Sequence, residues 1–184
     1  MLTILVSRKK QKIITADNET MQVRRAYVWE NGSPQFLQQR KTFEDLTGVE
    51  IVVKEWYGLR KLPLTSKVEE AILKFLRDYH ITQDMGFSCY SFASLVHGVT
   101  SPFGCNMHDF WSERPYKWRI KVGDALFLIR PIDKEVSLFC HAAIYIGRGL
   151  YISVYGAGGT LEISTLKDMQ LFYNAKAYIA EPRS

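Results

Sequence analysis

Two adjacent segments near the middle of the chain carry apolar residues at helical spacing. The first is predicted to form an amphipathic helix over 66–80, whose apolar positions are Val68, Ile72, Phe75, Leu76 and Tyr79. Ser66 and Glu69 stand three residues apart at its start, which is the pattern of a capping box. A second helix is predicted near 88–97, and Gly98 is expected to end it.

Short apolar runs separated by turn residues predict β-strands after these helices. The predicted strands cover 125–129, 140–146, 150–155, 161–163 and 177–180. Gly147 and Gly149 mark a tight hairpin between the second and third of these strands. Thr165 is a predicted cap for a short helix that ends near residue 173. Residues 98–122 show neither pattern and are predicted to form a loop.

The N-terminal third has a different character, with strands predicted at 2–6, 12–15, 21–29 and 49–57 and one helical turn at 43–47. We therefore divide the chain into a β-rich N-terminal extension or small lobe, residues 1–62, and a main domain, residues 63–184. In the main domain two helices precede a set of antiparallel strands. That order predicts an α+β fold.

The composition is that of a globular protein, with 184 residues of which 47% are hydrophobic. Most of the formal net charge of +5 lies in the N-terminal third. No basic stripe with interleaved aromatic residues accompanies it, so nucleic acid is disfavoured as a partner and solubility is the simpler explanation. No apolar run reaches the roughly 18 residues that span a bilayer, and the N-terminus lacks the pattern of a secretory signal. We expect the protein in the cytoplasm, or exported by a route that needs no signal peptide.

The chain has three cysteines, Cys89, Cys105 and Cys140. This low, odd count argues against a disulfide framework. Cys89 stands where the chain enters the second predicted helix. The helix dipole at that position favours the thiolate, and the backbone N–H of the same residue is available to a developing oxyanion. The alternative interpretation is a buried structural thiol, which is the commoner role of cysteine.

His141 opens a predicted strand and is the candidate base. If its imidazole meets the thiol of Cys89, the two form the activated nucleophile of a cysteine-dependent hydrolase or transferase. On a regular strand the side chains alternate between faces, so Ala143 and Tyr145 are expected on the face of His141. Cys140 is expected to point the other way, into the core.

The remaining candidate residues carry weaker signals. His97 lies at the far end of the Cys89 helix, and His80 ends the helix before it. Cys105 and His108 form a Cys-x-x-His pair, but a zinc site needs two further close ligands. The sequence contains neither a phosphate-binding glycine loop nor a Gly-x-Ser-x-Gly elbow. We therefore expect no metal and no cofactor.

The order of these motifs resembles the NlpC-type papain-like cysteine peptidases. The matching segments are Cys89 at a helix start, Gly123-Asp124-Ala125-Leu126-Phe127 at a strand start and His141-Ala142-Ala143-Ile144-Tyr145-Ile146-Gly147 before a glycine hairpin. That family carries an Asp-Cys-Ser-Gly-like turn, a Gly-Asp-Leu-x-Phe strand and a His-Val-Gly-Ile-Tyr-Ile-Gly strand. The resemblance covers residues 66–182 and implies a papain-like NlpC-type fold, with N-terminal helices packed on an antiparallel sheet.

The resemblance also implies the roles of the site residues. Cys89 corresponds to the nucleophile, and His141 to the general base that then protonates the leaving amine. The family has a third polar residue on the next strand, more often His, Asn or Gln. Here Ser153 stands twelve residues past His141 and is expected to hold the imidazole at Nδ1, with Tyr151 and Tyr155 as alternatives on the same face.

The family commonly cleaves peptide or amide bonds in bacterial cell-wall peptides. The expected function is therefore a cysteine peptidase or amidase, and the expected partner is a peptide or amide substrate, either peptidoglycan-derived or a protein. Two alternatives stay open. One is an acyltransferase or deamidase acting on a protein or lipid, including an exported effector. The other is a catalytically silent binding module built on the same fold.

Overall fold

The computed structural model describes residues 2–7, 11–23, 26–30, 51–53, 64–78, 88–100, 109–117, 119–133, 136–155 and 161–183. The predicted helical turn at 43–47 and the last two residues of the predicted helix over 66–80 lie outside them. Among the described residues, no helix combines the length and the apolar character that crossing a membrane requires.

The described residues form strands and helices in the order expected of an α+β protein, and this predicted class is confirmed. The elements are β1 (Leu2–Ser7), β2 (Gln11–Ile14), β3 (Thr20–Val23), β4 (Ala26–Glu30), β5 (Ile51–Val53), α1 (Ser66–Asp78), α2 (Cys89–His97), β6 (Trp111–Pro115), β7 (Ala125–Pro131), β8 (Ser137–Gly147), β9 (Leu150–Val154), β10 (Leu161–Thr165), α3 (Leu166–Tyr173) and β11 (Lys176–Pro182).

A nine-stranded sheet runs through the described residues in the order β5-β1-β4-β10-β9-β8-β7-β11-β6. Its neighbouring strands are antiparallel. Strand β4 pairs with β10 through Tyr27↔Glu162 and Ala26↔Ile163, so strands from the N-terminal third continue the sheet of the main domain. Strand β8, which carries His141, lies inside the sheet between β7 and β9.

Two apolar cores cover the two faces of this sheet. The first core contains the buried faces of α1 and α2, with residues such as Phe75, Phe92 and Ile144. The second core lies under α3 and contains Met169 together with Leu128, Ala143 and Tyr151. Apolar side chains on both faces remove the sheet from water, which stabilises the fold by roughly 25 cal/mol for each Å² of apolar surface buried.

Three local predictions are wrong. The predicted strand at 21–29 is two strands, because Thr20–Val23 pairs with β2 in a separate hairpin while Ala26–Glu30 joins the main sheet. The predicted loop at 98–122 contains β6, an edge strand in which Trp111 is buried and the following positions are mostly polar. Thr65, not Ser66, caps α1, since its hydroxyl accepts a hydrogen bond from the amide of Val68 at 3.4 Å.

The Gly123-Asp124 motif ties the start of β7 to β8. The amide of Gly123 donates to the carbonyl oxygen of Tyr145 at 2.8 Å, and the amide of Tyr145 donates to the carbonyl oxygen of Asp124 at 2.9 Å. Gly123 has φ +96°, a conformation that a side chain would strain. The motif therefore ties together the two strands that enter the site, and the Asp124 carboxylate also accepts a hydrogen bond from the Lys121 amide at 2.7 Å.

Candidate functional site

Cys89 is the first residue of α2, as predicted for the second helix. Ser88 precedes it in an extended conformation, and its hydroxyl accepts a hydrogen bond from the amide of Ser91 at 3.3 Å. Buried side chains farther along the helix, among them Phe92 and Val96, hold α2 against the sheet. The cap and this apolar face together fix where the half-buried thiol lies.

The pKa of the Cys89 thiol is raised, and burial is the main cause. The backbone amides of Ala142, Tyr90 and Cys89 itself act in the opposite direction and lower it. The expectation that the helix start would favour the thiolate is therefore wrong for the net effect, because withdrawal from water outweighs the helix-start amides. The free protein holds Cys89 as a neutral thiol at physiological pH.

A β-bulge in β8 decides which way His141 points. Leu128 of β7 pairs with His141 and Ile129 pairs with Phe139, so Cys140 is an extra residue between them. The bulge interrupts the alternation of side chains. His141 contacts Tyr173, and Cys140 packs against the second core beside that residue. The prediction that Cys140 points away from His141 is wrong, although Cys140 does pack against a core, and Ala143 and Tyr145 share the face of His141.

His141 and Ser153 lie on the neighbouring strands β8 and β9, beyond the last paired positions of the two strands. The paired positions of β8 and β9 run from Gly147↔Leu150 to Ile144↔Ile152 and stop short of Ala142. His141 Nε2 and Ser153 Oγ form a buried hydrogen bond of 2.9 Å. The bonded nitrogen is Nε2 and not Nδ1, so the sequence-based expectation named the wrong nitrogen.

Tyr151 and Tyr155 were the alternatives to Ser153, and neither hydroxyl forms a hydrogen bond with His141. The Tyr155 hydroxyl bonds to Ser164 Oγ at 2.8 Å. The Tyr151 hydroxyl donates to Tyr116 at 3.5 Å. Of the three candidates on this face, Ser153 is the one that holds the imidazole.

Aromatic rings enclose the imidazole of His141. The Tyr173 ring stacks on it with centroids 4.6 Å apart, and the Tyr155 ring lies at 4.8 Å. His141 is 1% exposed. Burial lowers the pKa of His141 from 6.5 to about 3, which keeps the ring neutral at physiological pH. A neutral imidazole is the form that can accept a proton.

Cys89 and His141 pack with the cores on different sides of the sheet. Cys89 packs with the first core, whereas the rings around His141 belong to the second. The backbone amide of Ala142, the residue after His141, hydrogen-bonds to the Cys89 thiol and lowers its pKa. Burial is the main cause of the raised pKa of Tyr173, and the nearby Tyr155 and Cys89 raise it further. The Cys89 thiol is therefore also near the ring that stacks on His141. The described side chains of Cys89 and His141 share no hydrogen bond with each other.

The other candidates do not join this cluster. His97 packs edge-on against Trp111 at a centroid distance of 5.3 Å, and burial chiefly lowers its pKa. His80, Cys105 and His108 lie outside the described residues. The part of the chain that the structure describes contains no group of three metal-ligating side chains. Sequence reasoning did not identify Tyr173 as part of the site, because an aromatic residue at a helix end carries no signal of its partner.

Comparison with known proteins gave one solved structure at low similarity. A crystal structure of an NlpC/P60 family protein from Bacillus cereus ATCC 10987 matches with a TM-score of 0.37 and 14% sequence identity. The match covers 96% of this chain and 62% of that protein, so the chain spans less than two thirds of its length. No protein-family profile and no curated protein sequence matches the chain.

Proposed function

We propose that the chain is a cysteine-dependent hydrolase that cleaves a peptide or amide bond, on a papain-like NlpC-type arrangement. The observation that carries the proposal is the buried hydrogen bond of 2.9 Å between His141 Nε2 and Ser153 Oγ. It orients the ring and leaves Nδ1 as the nitrogen available to a thiol. The helix that presents Cys89 begins beside the same strand, within reach of the Ala142 amide.

In the proposed reaction Cys89 Sγ attacks the carbonyl carbon of the substrate while its proton moves to His141 Nδ1. The C–N bond then breaks, the proton passes from Nδ1 to the leaving amine, and the acyl group remains on sulfur as a thioester. Water, deprotonated by the same nitrogen, attacks the thioester and restores the thiol. The Cys89 backbone N–H at the helix start is the proposed donor to the oxyanion.

The raised pKa of Cys89 and the lowered pKa of His141 mean that the resting pair is neutral. A neutral imidazole accepts the thiol proton as the new bond forms, so the proposal does not need a preformed ion pair. The forming imidazolium needs support, and the hydrogen bond to Ser153 supplies an oxygen acceptor for its Nε2–H.

The proposal is tested by turnover on two substrate classes, muropeptides with a γ-D-glutamyl bond and an unfolded protein such as casein. Cys89→Ala and His141→Ala are expected to lose about 100-fold or more in kcat. Cys140→Ser is the matched control, because it changes the half-buried thiol next to His141. Circular dichroism of each variant shows that the fold is kept. Full activity of Cys89→Ala on a substrate that the wild type cleaves contradicts the proposal.

Hydrolysis and acyl transfer share the first step, and the acceptor distinguishes them. Mass spectrometry of the enzyme with substrate is expected to show the acyl group on a peptide containing Cys89. Release of that group to water supports the hydrolase. Release to an added primary amine or alcohol at concentrations far below that of water assigns the chain to transfer instead.

A silent binding module is the second candidate, and two observations favour it. Burial raises the pKa of Cys89, and the described side chains of Cys89 and His141 share no hydrogen bond. A silent module binds a peptide without consuming it. Binding of muropeptides by the wild type and by Cys89→Ala with equal affinity, with neither turnover nor an acyl adduct, supports this candidate.

A further inference from the structure

We propose that Tyr155, Phe172 and Tyr173 form a subsite for an apolar group on the leaving amine of the substrate. These three rings are called the aromatic wall below. The inference rests on the proposed function and deepens it, because it names the class of residue that follows the scissile bond.

The aromatic wall starts at the imidazole of His141 and extends away from it. The ring centroids of Tyr173 and Tyr155 lie 4.6 Å and 4.8 Å from that of His141. The same two rings contact Phe172, whose centroid is 4.7 Å from that of Tyr173 and 6.1 Å from that of Tyr155. Each ring of the wall is partly exposed, whereas His141 is 1% exposed. The wall therefore offers apolar surface to a ligand directly beside the candidate base.

Hydrogen bonds at both ends hold the wall in place. The hydroxyl of Tyr155, which follows β9, bonds to Ser164 Oγ on the adjacent strand at 2.8 Å. Phe172 and Tyr173 end α3, and the carbonyl oxygen of Phe172 accepts a hydrogen bond from the amide of Ala16 at 2.8 Å. A surface that is already ordered loses little conformational freedom when a ligand binds to it.

The direction of proton transfer decides which part of the substrate reaches the wall. In the proposed reaction His141 Nδ1 passes its proton to the leaving amine, so the leaving nitrogen comes within about 2.6–3.2 Å of Nδ1. The first side chain beyond that nitrogen is then only a few bonds from the imidazole, as close as the rings of Tyr155 and Tyr173 are. The acyl part stays on Cys89, at the start of α2. The residue after the scissile bond is therefore the one that contacts the wall.

The electrostatics of the site favour an uncharged group at this place. Among the described residues, burial and backbone amides rather than charged side chains shift the pKa of Cys89, and burial lowers that of His141. Burial chiefly raises the pKa of Tyr173, and the Glu162 carboxylate is among the groups that raise it further, so an acidic group beside Tyr173 is disfavoured. Glu162 is 3% exposed and is thus covered from a cation of the substrate. A charged group would lose its water here, whereas an apolar group gains from leaving water.

The first experiment varies the residue X after the scissile bond. Two peptide series, Ala-Ala-X amides and Ala-γ-D-Glu-X amides, carry Phe, Leu, Gly, Glu or Lys as X. The wild type is expected to cleave the Phe and Leu peptides with a kcat/KM about tenfold or more above that for the Gly peptides, because the wall removes the apolar side chain from water. Lower values are expected for Glu and Lys. Equal values for all five residues, or the highest value for Glu or Lys, overturn the inference.

Binding separates this inference from the proposed function. Cys89→Ala keeps the wall but cannot form the thioester, so NMR titration of this variant with the same peptides measures the subsite without turnover. If the wild type cleaves neither series, binding of the Phe peptides about tenfold more tightly than the Gly peptides rejects the hydrolase and keeps the subsite. Equal binding in that case overturns the subsite. Cleavage by the wild type with no preference for X keeps the hydrolase and rejects the subsite.

The variant Phe172→Ser assigns the preference to the wall. It is expected to lower the ratio of kcat/KM for the Phe peptides over the Gly peptides by about threefold or more. Leu171→Ser is the matched control, because it removes a neighbouring apolar side chain of α3 that is 54% exposed, and it is expected to keep the wild-type ratio. An unchanged ratio in folded Phe172→Ser overturns the role of the wall. If Phe172→Ser does not fold, the wild-type ratios decide.

Discussion

The ring of Tyr173 lies flat on the ring of His141, with the centroids 4.6 Å apart and the planes 21° apart. Tyr173 ends α3, whereas His141 lies in the middle of the sheet. The stack closes the α3 side of the imidazole to water. Burial lowers the pKa of His141 to about 3, and the ring at the end of α3 is one of the groups that bury the candidate base.

Removal of the Tyr173 ring is expected to raise the pKa of His141 toward its ordinary value of 6.5. In Tyr173→Ala, water reaches the imidazole, and we expect a rise of about 1 unit or more. The measurement is a histidine titration by NMR. Tyr173→Phe keeps the stacked ring and is the control, for which the pKa stays low. A low pKa in folded Tyr173→Ala means that the rest of the pocket buries the ring.

Ser153→Ala is expected to destabilise the protein, because it removes the bonded partner of a buried imidazole nitrogen. The expected loss in the free energy of unfolding is about 1–3 kcal/mol, measured by urea denaturation. Ser112→Ala changes an exposed serine on the edge strand β6 and is expected to cost about 0.5 kcal/mol or less. Equal losses for the two variants would show that the His141–Ser153 bond contributes nothing to stability.

His141 is also expected to make the fold sensitive to acid. Its pKa is about 3 in the folded state and 6.5 when unperturbed, so between these values the unfolded chain binds one more proton. The free energy of unfolding therefore falls as the pH falls through this window, by about 1.4 kcal/mol per pH unit. Above pH 6.5 His141 adds no slope.

The variant His141→Gln isolates this contribution from the carboxylates that titrate in the same window. Urea unfolding of both proteins between pH 4 and pH 7 gives two slopes. The wild type is expected to lose stability more steeply than the variant as the pH falls. Parallel slopes would show that the folded and unfolded states bind the His141 proton equally well.

Cys89 is expected to react slowly with iodoacetamide at neutral pH, because burial raises the pKa of its thiol. The rate is expected to rise with pH through the alkaline range, without the plateau near neutrality that a thiolate–imidazolium pair produces. The measurement uses a Cys105→Ser/Cys140→Ser background, so that the label reports on Cys89. A plateau already present at pH 6 would mean that a preformed ion pair exists in solution.

The helices and most strands of the main domain were predictable because their patterns are local. Apolar residues three and four apart predicted α1, and Thr165 was identified as the cap of α3, where its hydroxyl accepts from the Asp168 amide at 3.2 Å. Strand β6 was not predicted because it lies at the edge of the sheet. Only the first of its five residues is buried, so the strand shows no apolar pattern. The change of sheet between β3 and β4 leaves no periodic signal either.

The candidate site was predictable only in part. Cys89 could be selected because it stands at the start of a predicted helix, and His141 because it stands near the start of a predicted strand, although β8 begins four residues earlier at Ser137. Ser153 was implied only by the resemblance to the NlpC-type peptidases. The direction of Cys140 could not be predicted, since the bulge depends on how β7 pairs with β8. Tyr173 comes from another element, and its contact with His141 is a property of the assembled fold.

The sequence by itself determined which residues are chemically able to act and which local elements carry them, because capping, turn chemistry and apolar periodicity act over a few residues. Only the tertiary structure decided their charge states and partners. The position of Cys89 at the helix start favours the thiolate, yet burial reverses that preference. His141 is neutral because strands and a helix from different parts of the chain exclude water from it. Its Nε2 is held by Ser153, which lies on the next strand. Desolvation depends on everything packed around a group, which no short stretch of sequence contains.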